Sequence, residues 1–242
     1  MAFFVSFEGG EGTGKSSQAE ILTNRLKNTG VQVLPVHEPG MTRLGEYLRL
    51  WLKRESTETI SPMAELLMFA AARAELVVKI LKPVLHHPRL VIVADRYADS
   101  TTAYQSYGRR LPLQRVDSIN QMATHGIMPD ITFLLDCPPN EGLNRTGAAQ
   151  TAMSLDSVIH TEIGRIDTAG TRRFEEESLE FHQRVREGYL KLAKKDPERW
   201  RIMDATKPME ETSEVIWNCI QTELSALDLD KSDRSSPTDL WA

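Results

Sequence analysis

The 242-residue chain is 40% hydrophobic and 26% charged, enough apolar content for one substantial core and an ordinary balance for a folded domain. Its 29 Lys and Arg against 34 Asp and Glu give a net charge of -5, which denies overall electrostatic help to binding a nucleic-acid polymer or an anionic membrane surface. Cys137 and Cys219 are too few for a disulfide framework, and the start Met1 to Val5 has no targeting pattern and no membrane-spanning length, so a cytoplasmic protein is expected.

The apolar run Phe3 to Phe7 reads as a strand. It leads into Gly9-Gly10-Glu11-Gly12-Thr13-Gly14-Lys15-Ser16, which fits the phosphate-loop pattern Gly-x4-Gly-Lys-Ser, and Ala19, Leu22 and Leu26 then recur at helical spacing until Gly30. Phosphate oxygens must approach several backbone N–H groups at once, and glycine clears the way. Lys15 can reach the β- and γ-phosphates, the Ser16 hydroxyl can hold Mg2+, and the positive end of the helix faces the anion. The expected ATP-contacting set is Gly9, Gly10, Glu11, Gly12, Thr13, Gly14, Lys15, Ser16 and Ser17.

Val31 to Val36 reads as a second strand, whose Pro35 belongs at a sheet edge or a strand end. A turn follows at Pro39-Gly40, and Leu44, Leu48 and Leu52 mark one face of a helix. From Pro62 to about His87 a long helix is expected, capped by Ser61 and kinked or ended at Pro83. Leu90 to Ala94 has the continuous apolar character of a strand buried on both faces, with Asp95 and Arg96 at its carboxyl end. Asp95 can bind Mg2+ directly or through water, and Arg96 can grip a second anion.

Leu113 to Thr124 looks helical, and Ile131 to Leu135 is another buried strand. Arg145 to Gly170 has no steady period and reads as a mobile excursion. Phe181, Val185, Tyr189 and Leu192 restore a helical stripe, Trp200 to Met203 is a short last strand, and a helix runs from about Met209 to Leu224. The polar residues 227–242 read as a disordered tail. Alternating strands and helices imply an α/β fold of three layers, a parallel sheet of about five strands with helices on both faces and ligands at the carboxyl ends of the strands.

Phe69 and Arg73, four apart on one helix, put a ring and a forked donor on the same side, suited to sandwiching a base and bonding its carbonyl edge. Ser100, Thr101, Tyr104 and Gln105 place hydroxyl and amide groups about a turn beyond Asp95. Taken alone, Phe69 and Tyr104 fit a core role and Arg73 a surface ion pair; their occurrence together in this order favours a site.

The chain resembles the thymidylate kinases, which transfer phosphate from ATP to dTMP. The matching stretches are FEGGEGTGKSSQ from Phe7, HEPGMTRLGEYLR from His37, LLMFAAARAELV from Leu66, ADRYADSTTAYQ from Ala94, PDITFLLDCPP from Pro129, FEEESLEFHQRVREGYLKLA from Phe174 and MDATKP from Met203. The resemblance implies a P-loop nucleoside monophosphate kinase domain over residues 1–226 with a lid over about 145–173, and a homodimer. It implies that Phe69 stacks on thymine, that Arg73 bonds a thymine carbonyl, and that Thr101 and Gln105 face the base. Tyr104 would crowd the 2' position of the sugar, Arg96 would hold the dTMP phosphate, and Glu11 would contact the dTMP sugar or its phosphate network. Glu38, Pro39 and Ser100 complete the acceptor side, and Thr206 and Lys207 would lie near the adenine of ATP.

Because Gly12 follows Glu11, the resemblance assigns the catalytic arginine to the lid, from Arg145, Arg165, Arg172 and Arg173, with Arg173 or Arg165 first. The chain departs from bacterial relatives at His37, commonly Arg, at Met41, usually Gly, and at Arg172, usually acidic. Competing readings are a nucleotide switch, for which a guanine-reading Asn-Lys-x-Asp is missing, and a nucleoside kinase with a 5'-hydroxyl acceptor, against which Arg96 argues.

Overall fold

Strand β1 (Phe3–Gly9) alternates its side chains between two faces, and every one of its residues is buried, so both faces need cover. The computed structural model describes residues 1–53, 60–153, 158–161, 164–167 and 173–226, with side chains outside the description from 147 to 172. Around β1 lie β2 (Gln32–His37), β3 (Leu90–Asp95), β4 (Ile131–Asp136) and, after the hairpin β5 (Val158–Thr161) and β6 (Gly164–Asp167), β7 (Trp200–Asp204). The main sheet has the order β2-β3-β1-β4-β7 with every pair parallel. Pro35 thus sits on an edge strand, where its missing N–H leaves no ladder bond broken on the outer side.

One face carries Phe3, Val5 and Phe7 with Val91, Val93, Phe133 and Leu135, and packs on Leu22 and Leu26 of α1 (Lys15–Asn28) and on Ile216 and Ile220 of α9 (Met209–Ala226). The opposite face carries Phe4, Ile92 and Ala94 against α3 (Pro62–Leu76), and Leu134 against α8 (Leu179–Lys195). This is the expected three-layer α/β arrangement.

The long helix after Ser61 starts as expected, with Ser61 Oγ accepting from Ala64 N at 3.3 Å. It then passes through a π-helical turn, Val77–Leu81, into the short α4 (Lys82–Val84). Pro83 has no N–H and crowds the carbonyl four residues back; the wider turn, in which Lys82 N bonds Val77 O, accommodates it. A second π-helical stretch, Thr102–Gly108, continues α5 (Ala98–Thr101), and α6 (Leu113–Thr124) follows.

The expected leucine face falls on α2 (Arg43–Lys53), where Leu44 is exposed, Leu48 half-buried and Leu52 fully buried. One expectation is corrected by the structure. The stretch beginning at Arg145 is not an irregular excursion throughout: it belongs to α7 (Pro139–Met153), followed by the β5–β6 hairpin. Residues 227–242 lie outside the described residues. No helix among the described residues is long and apolar enough to cross a membrane.

Candidate active site

The carboxyl ends of β1, β2 and β3 open on one side of the sheet, which brings the phosphate loop, the Glu38–Gly40 turn and Asp95-Arg96 together. Gly14 ends the loop at φ 87 as the N-cap of α1. Gly12 stands at φ 67, and a Cβ there would meet Gly142 O at 1.9 Å, so the packing of α7 against the loop bars any side chain, an arginine included. Lys15 Nζ donates to Gly10 O and, at 3.4 Å, to Thr13 Oγ1. Burial, aided by Arg96, lowers its ammonium to about 8 despite Glu11, Asp95 and Glu8 nearby. Ser16 Oγ donates to Asp95 Oδ2 at 2.5 Å, a pair of hard oxygen donors from the two elements expected to share a cation. No group of three or more His, Cys, Asp or Glu is gathered for metal binding among the described residues, so a cation here would need phosphate and water oxygens to complete its shell.

Arg96 is the centre of the second anion position. It stands at φ 70, in the left-handed region, with its N–H bonded to Phe7 O at 3.0 Å. Its Nη1 reaches Gly9 O and Ser100 Oγ, both at 3.1 Å, and its Nη2 reaches Glu11 Oε1 at 2.9 Å and Tyr104 Oη at 3.2 Å. Tyr104 Oη in turn donates to Glu11 Oε1 at 2.6 Å. Burial alone would raise the Glu11 carboxyl; Arg96, Lys15 and the Tyr104 hydroxyl outweigh it and bring it down to about 2.

Beneath Arg96 lies Glu8, a buried carboxylate absent from the sequence reading. It accepts from Tyr97 N at 2.8 Å, Ser100 Oγ at 2.5 Å and Tyr189 Oη at 3.1 Å. Burial, reinforced by Asp99, pushes its carboxyl up to about 7. A glutamate inside a buried, mostly apolar strand was the available signal; Tyr189 gave none, since it falls on a regular apolar stripe.

At the far end, Arg73 is 1% exposed. Its Nε and Nη2 bind Glu38, at 2.8 and 2.6 Å to Oε2; Nη2 also reaches Thr101 Oγ1 at 2.8 Å, and Nη1 reaches Asn120 Oδ1 at 2.9 Å. One Nη1 hydrogen is left for a ligand carbonyl. Asn120, on α6, was not foreseen; it also donates to Ala98 O at 3.1 Å and Thr102 Oγ1 at 3.0 Å, tying three helices behind Arg73. Phe69 is half-buried, its ring centroid 6.1 Å from Phe174, which lies 5.7 Å from Tyr104. Gln105 Nε2 donates to Glu65 at 2.8 Å.

The acceptor turn has a cis Glu38–Pro39 bond. Met41, at φ 66, occupies the left-handed region that favours glycine, and its side chain packs against the core under α3. His37 Nε2 and Met41 N both contact Glu46 Oε1, at 3.2 and 2.8 Å, while Arg49 Nη1 holds Pro39 O at 2.9 Å. Thr206 bonds Asp204 Oδ1 through N and Oγ1. Lys207, Ser17, Thr13, Gln18 and Arg145 line a cleft of about 460 Å³ beside α1, and Arg145 Nη1 bonds Ala205 O at 2.7 Å.

Of the lid arginines, Arg145 lines this cleft beside Gly12, Thr13 and Gly14 of the phosphate loop. Arg173 binds Glu65 and, at 3.2 Å, Leu52 O, near the Phe69 end. Arg165 lies on β6, its side chain outside the description, and Arg172 is outside the described residues.

A family model described as thymidylate kinase matches residues 7–216. The chain belongs to the thymidylate kinase family. It is 39% identical over 224 residues to a thymidylate kinase of Trichlorobacter lovleyi, covering 92% of this chain and 98% of the relative. It is 41% identical over 231 residues to that of Roseiflexus sp., covering 94% and 97%. The crystal structure of thymidylate kinase from Ehrlichia chaffeensis superposes with a TM-score of 0.67 at 28% identity, over 91% of this chain and 98% of that one. Membership of the thymidylate kinase family makes the chain an enzyme and accounts for a phosphate loop that faces a second cationic position rather than a switch region.

Proposed function

We propose that this site transfers the γ-phosphate of ATP to dTMP, giving dTDP and ADP, a step in dTTP synthesis. The observation that carries the reading is the line formed by Lys15, Arg96 and Arg73: a phosphate loop, a second anion position bridged to it through Glu11, and a buried donor for a base carbonyl. The ATP phosphates lie on the backbone of Gly9 to Gly14 with Lys15, and the adenine takes the cleft by Lys207 and Thr206. The dTMP phosphate meets Arg96 and Ser100, its sugar meets Tyr104 and Glu11, and its base lies between Phe69, Arg73, Thr101 and Gln105, with Glu38 and Pro39 behind.

A phosphomonoester loses its second proton near ~6, so at neutral pH the acceptor oxygen is already the nucleophile and no general base is required. That oxygen attacks the γ-phosphorus in line; the new P–O bond forms as the bond to the β,γ-bridging oxygen breaks, and ADP leaves. Lys15 and Arg96 offset the repulsion between the two anions, and a lid over about 145–173, with Arg173 or Arg165 as its cation, excludes water. Ser16 and Asp95 would hold Mg2+, which supplies charge neutralisation at the β- and γ-phosphates.

The same reading includes a cytoplasmic enzyme and a homodimer. The exposed Trp51, Leu67 and Val78 on α2, α3 and the turn after it support an association surface, tested by sedimentation. Coupled ADP release with dTMP, with thymidine and without acceptor tests the activity. Turnover with dTMP alone supports it, and equal rates in all three would refute it.

A further inference from the structure

Glu65 is fully buried, and both of its carboxyl oxygens meet hydrogen-bond donors. Oε1 accepts from Gln105 Nε2 at 2.8 Å and Arg109 Nε at 3.0 Å; Oε2 accepts from Arg109 Nη2 at 3.1 Å and from Arg173 Nη2. Arg109 is further paired with Glu177 at 2.5 Å, so two guanidinium groups face two carboxyl groups. The partners of both Glu65 oxygens are N–H groups of Gln105, Arg109 and Arg173, so each oxygen is used as an acceptor.

That property fixes the polarity of the neighbouring amide. Gln105 has one donor end and one acceptor end, and Glu65 can take only the donor. The acceptor, Oε1, is the end left for a ligand. A thymine ring presents an N–H at N3, complementary to that oxygen; a cytosine ring presents a lone pair there, which the oxygen repels.

We propose that Glu65 is a positioning residue that sets base specificity through Gln105, by holding its amide in the one orientation that accepts from N3–H. This rests on the reading that Gln105 faces the base. An amide at position 65 removes the constraint, because it can donate as well as accept and Gln105 is then free to turn over. The phosphate loop, Arg96 and the adenine cleft share no hydrogen bond with Glu65 among the described residues, whereas Arg173 does, so the readout is the discrimination at N3 and not kcat alone.

The test compares kcat/KM for dTMP with that for its N3-methyl analogue, which keeps both carbonyls but has no N–H to donate at N3. The unmodified enzyme is expected to prefer dTMP by roughly 10- to 100-fold, the worth of one buried hydrogen bond. Gln105→Leu should bring the ratio close to one, and Glu65→Gln should do the same with KM for ATP unchanged. Glu65→Asp keeps a carboxyl group facing Arg109 and Arg173 but withdraws the acceptor from Gln105, and is expected to lose the preference even where Glu65→Gln fails to fold. If Gln105→Leu loses the preference while both Glu65 variants retain it, the proposal is overturned and the base reading stands. If Gln105→Leu retains it, the placement of Gln105 at the base falls, and the proposal with it.

Discussion

Glu11 and Arg96 face each other across 2.9 Å, Oε1 to Nη2, although one belongs to the loop after β1 and the other directly follows β3. The pair joins the donor side of the site to the acceptor side, and Tyr104 closes it from the sugar end. Removing the carboxylate in Glu11→Ala leaves Arg96 without its anion and Tyr104 without its acceptor. The expected result is a fall in kcat/KM for dTMP of roughly 10- to 100-fold, larger than the change for ATP. Steady-state kinetics with each substrate varied in turn checks this, and a loss confined to ATP would separate Glu11 from the acceptor.

Lys15→Ala should lower turnover by roughly 10^2 to 10^5 while leaving the circular dichroism spectrum unchanged. Among the described residues the side chain bonds only within its own loop, to Gly10 O and Thr13 Oγ1, so its loss costs little structure. An unimpaired rate would remove it from the mechanism.

The lowered ammonium of Lys15 has a consequence for pH. With its proton lost near about 8, the free enzyme presents a neutral amine to the triphosphate above that pH. kcat/KM for ATP, which reports the free enzyme, should therefore decline as pH rises through about 8. A profile flat through that region would contradict the assignment.

Glu8 makes a prediction of opposite character, about stability. Its carboxyl is raised from 4.5 in the unfolded chain to about 7 in the fold, so between those values the native state holds a proton that the unfolded state has released. The native state is favoured as pH falls through this window, and that contribution, complete below 4.5, is lost as pH rises through about 7. Urea denaturation of Glu8→Gln should lack this component of the pH dependence. Retention of the full wild-type slope would place the titration elsewhere.

Phe69→Ala should raise KM for dTMP by roughly 10-fold or more and leave KM for ATP within about twofold, as stacking on a base is worth ~1–3 kcal/mol. The ring also packs near Phe174, and a role confined to that contact would lower the melting temperature without moving either KM.

The sheet was legible because buried parallel strands read as unbroken apolar runs: Leu90 to Ala94 and Ile131 to Leu135 lie within β3 and β4. The phosphate loop was legible because glycine spacing records backbone geometry, and the clash of a Cβ at Gly12 with Gly142 O gives that spacing its reason. Long-range polar partners were not. Nothing near Glu8 in the chain announces Tyr189, and nothing near Arg73 announces Asn120, because those contacts arise only once the layers stack. The π-helical stretches at Val77–Leu81 and Thr102–Gly108 were likewise hidden, since a helical apolar period does not report which carbonyl each N–H finds. For α7, the weak apolar period from Pro139 onward left packing against the phosphate loop, through Gly142, as a feature only the folded chain reveals.

The most direct measurement is a crystal structure of the enzyme with dTMP bound. The account predicts the thymine ring against Phe69 with a carbonyl on the remaining Nη1 hydrogen of Arg73, and the phosphate on Arg96. Thymine found anywhere else, or a phosphate that leaves Arg96 bonded only to Glu11, Gly9, Ser100, Tyr104 and Tyr189 as it is here, would contradict it.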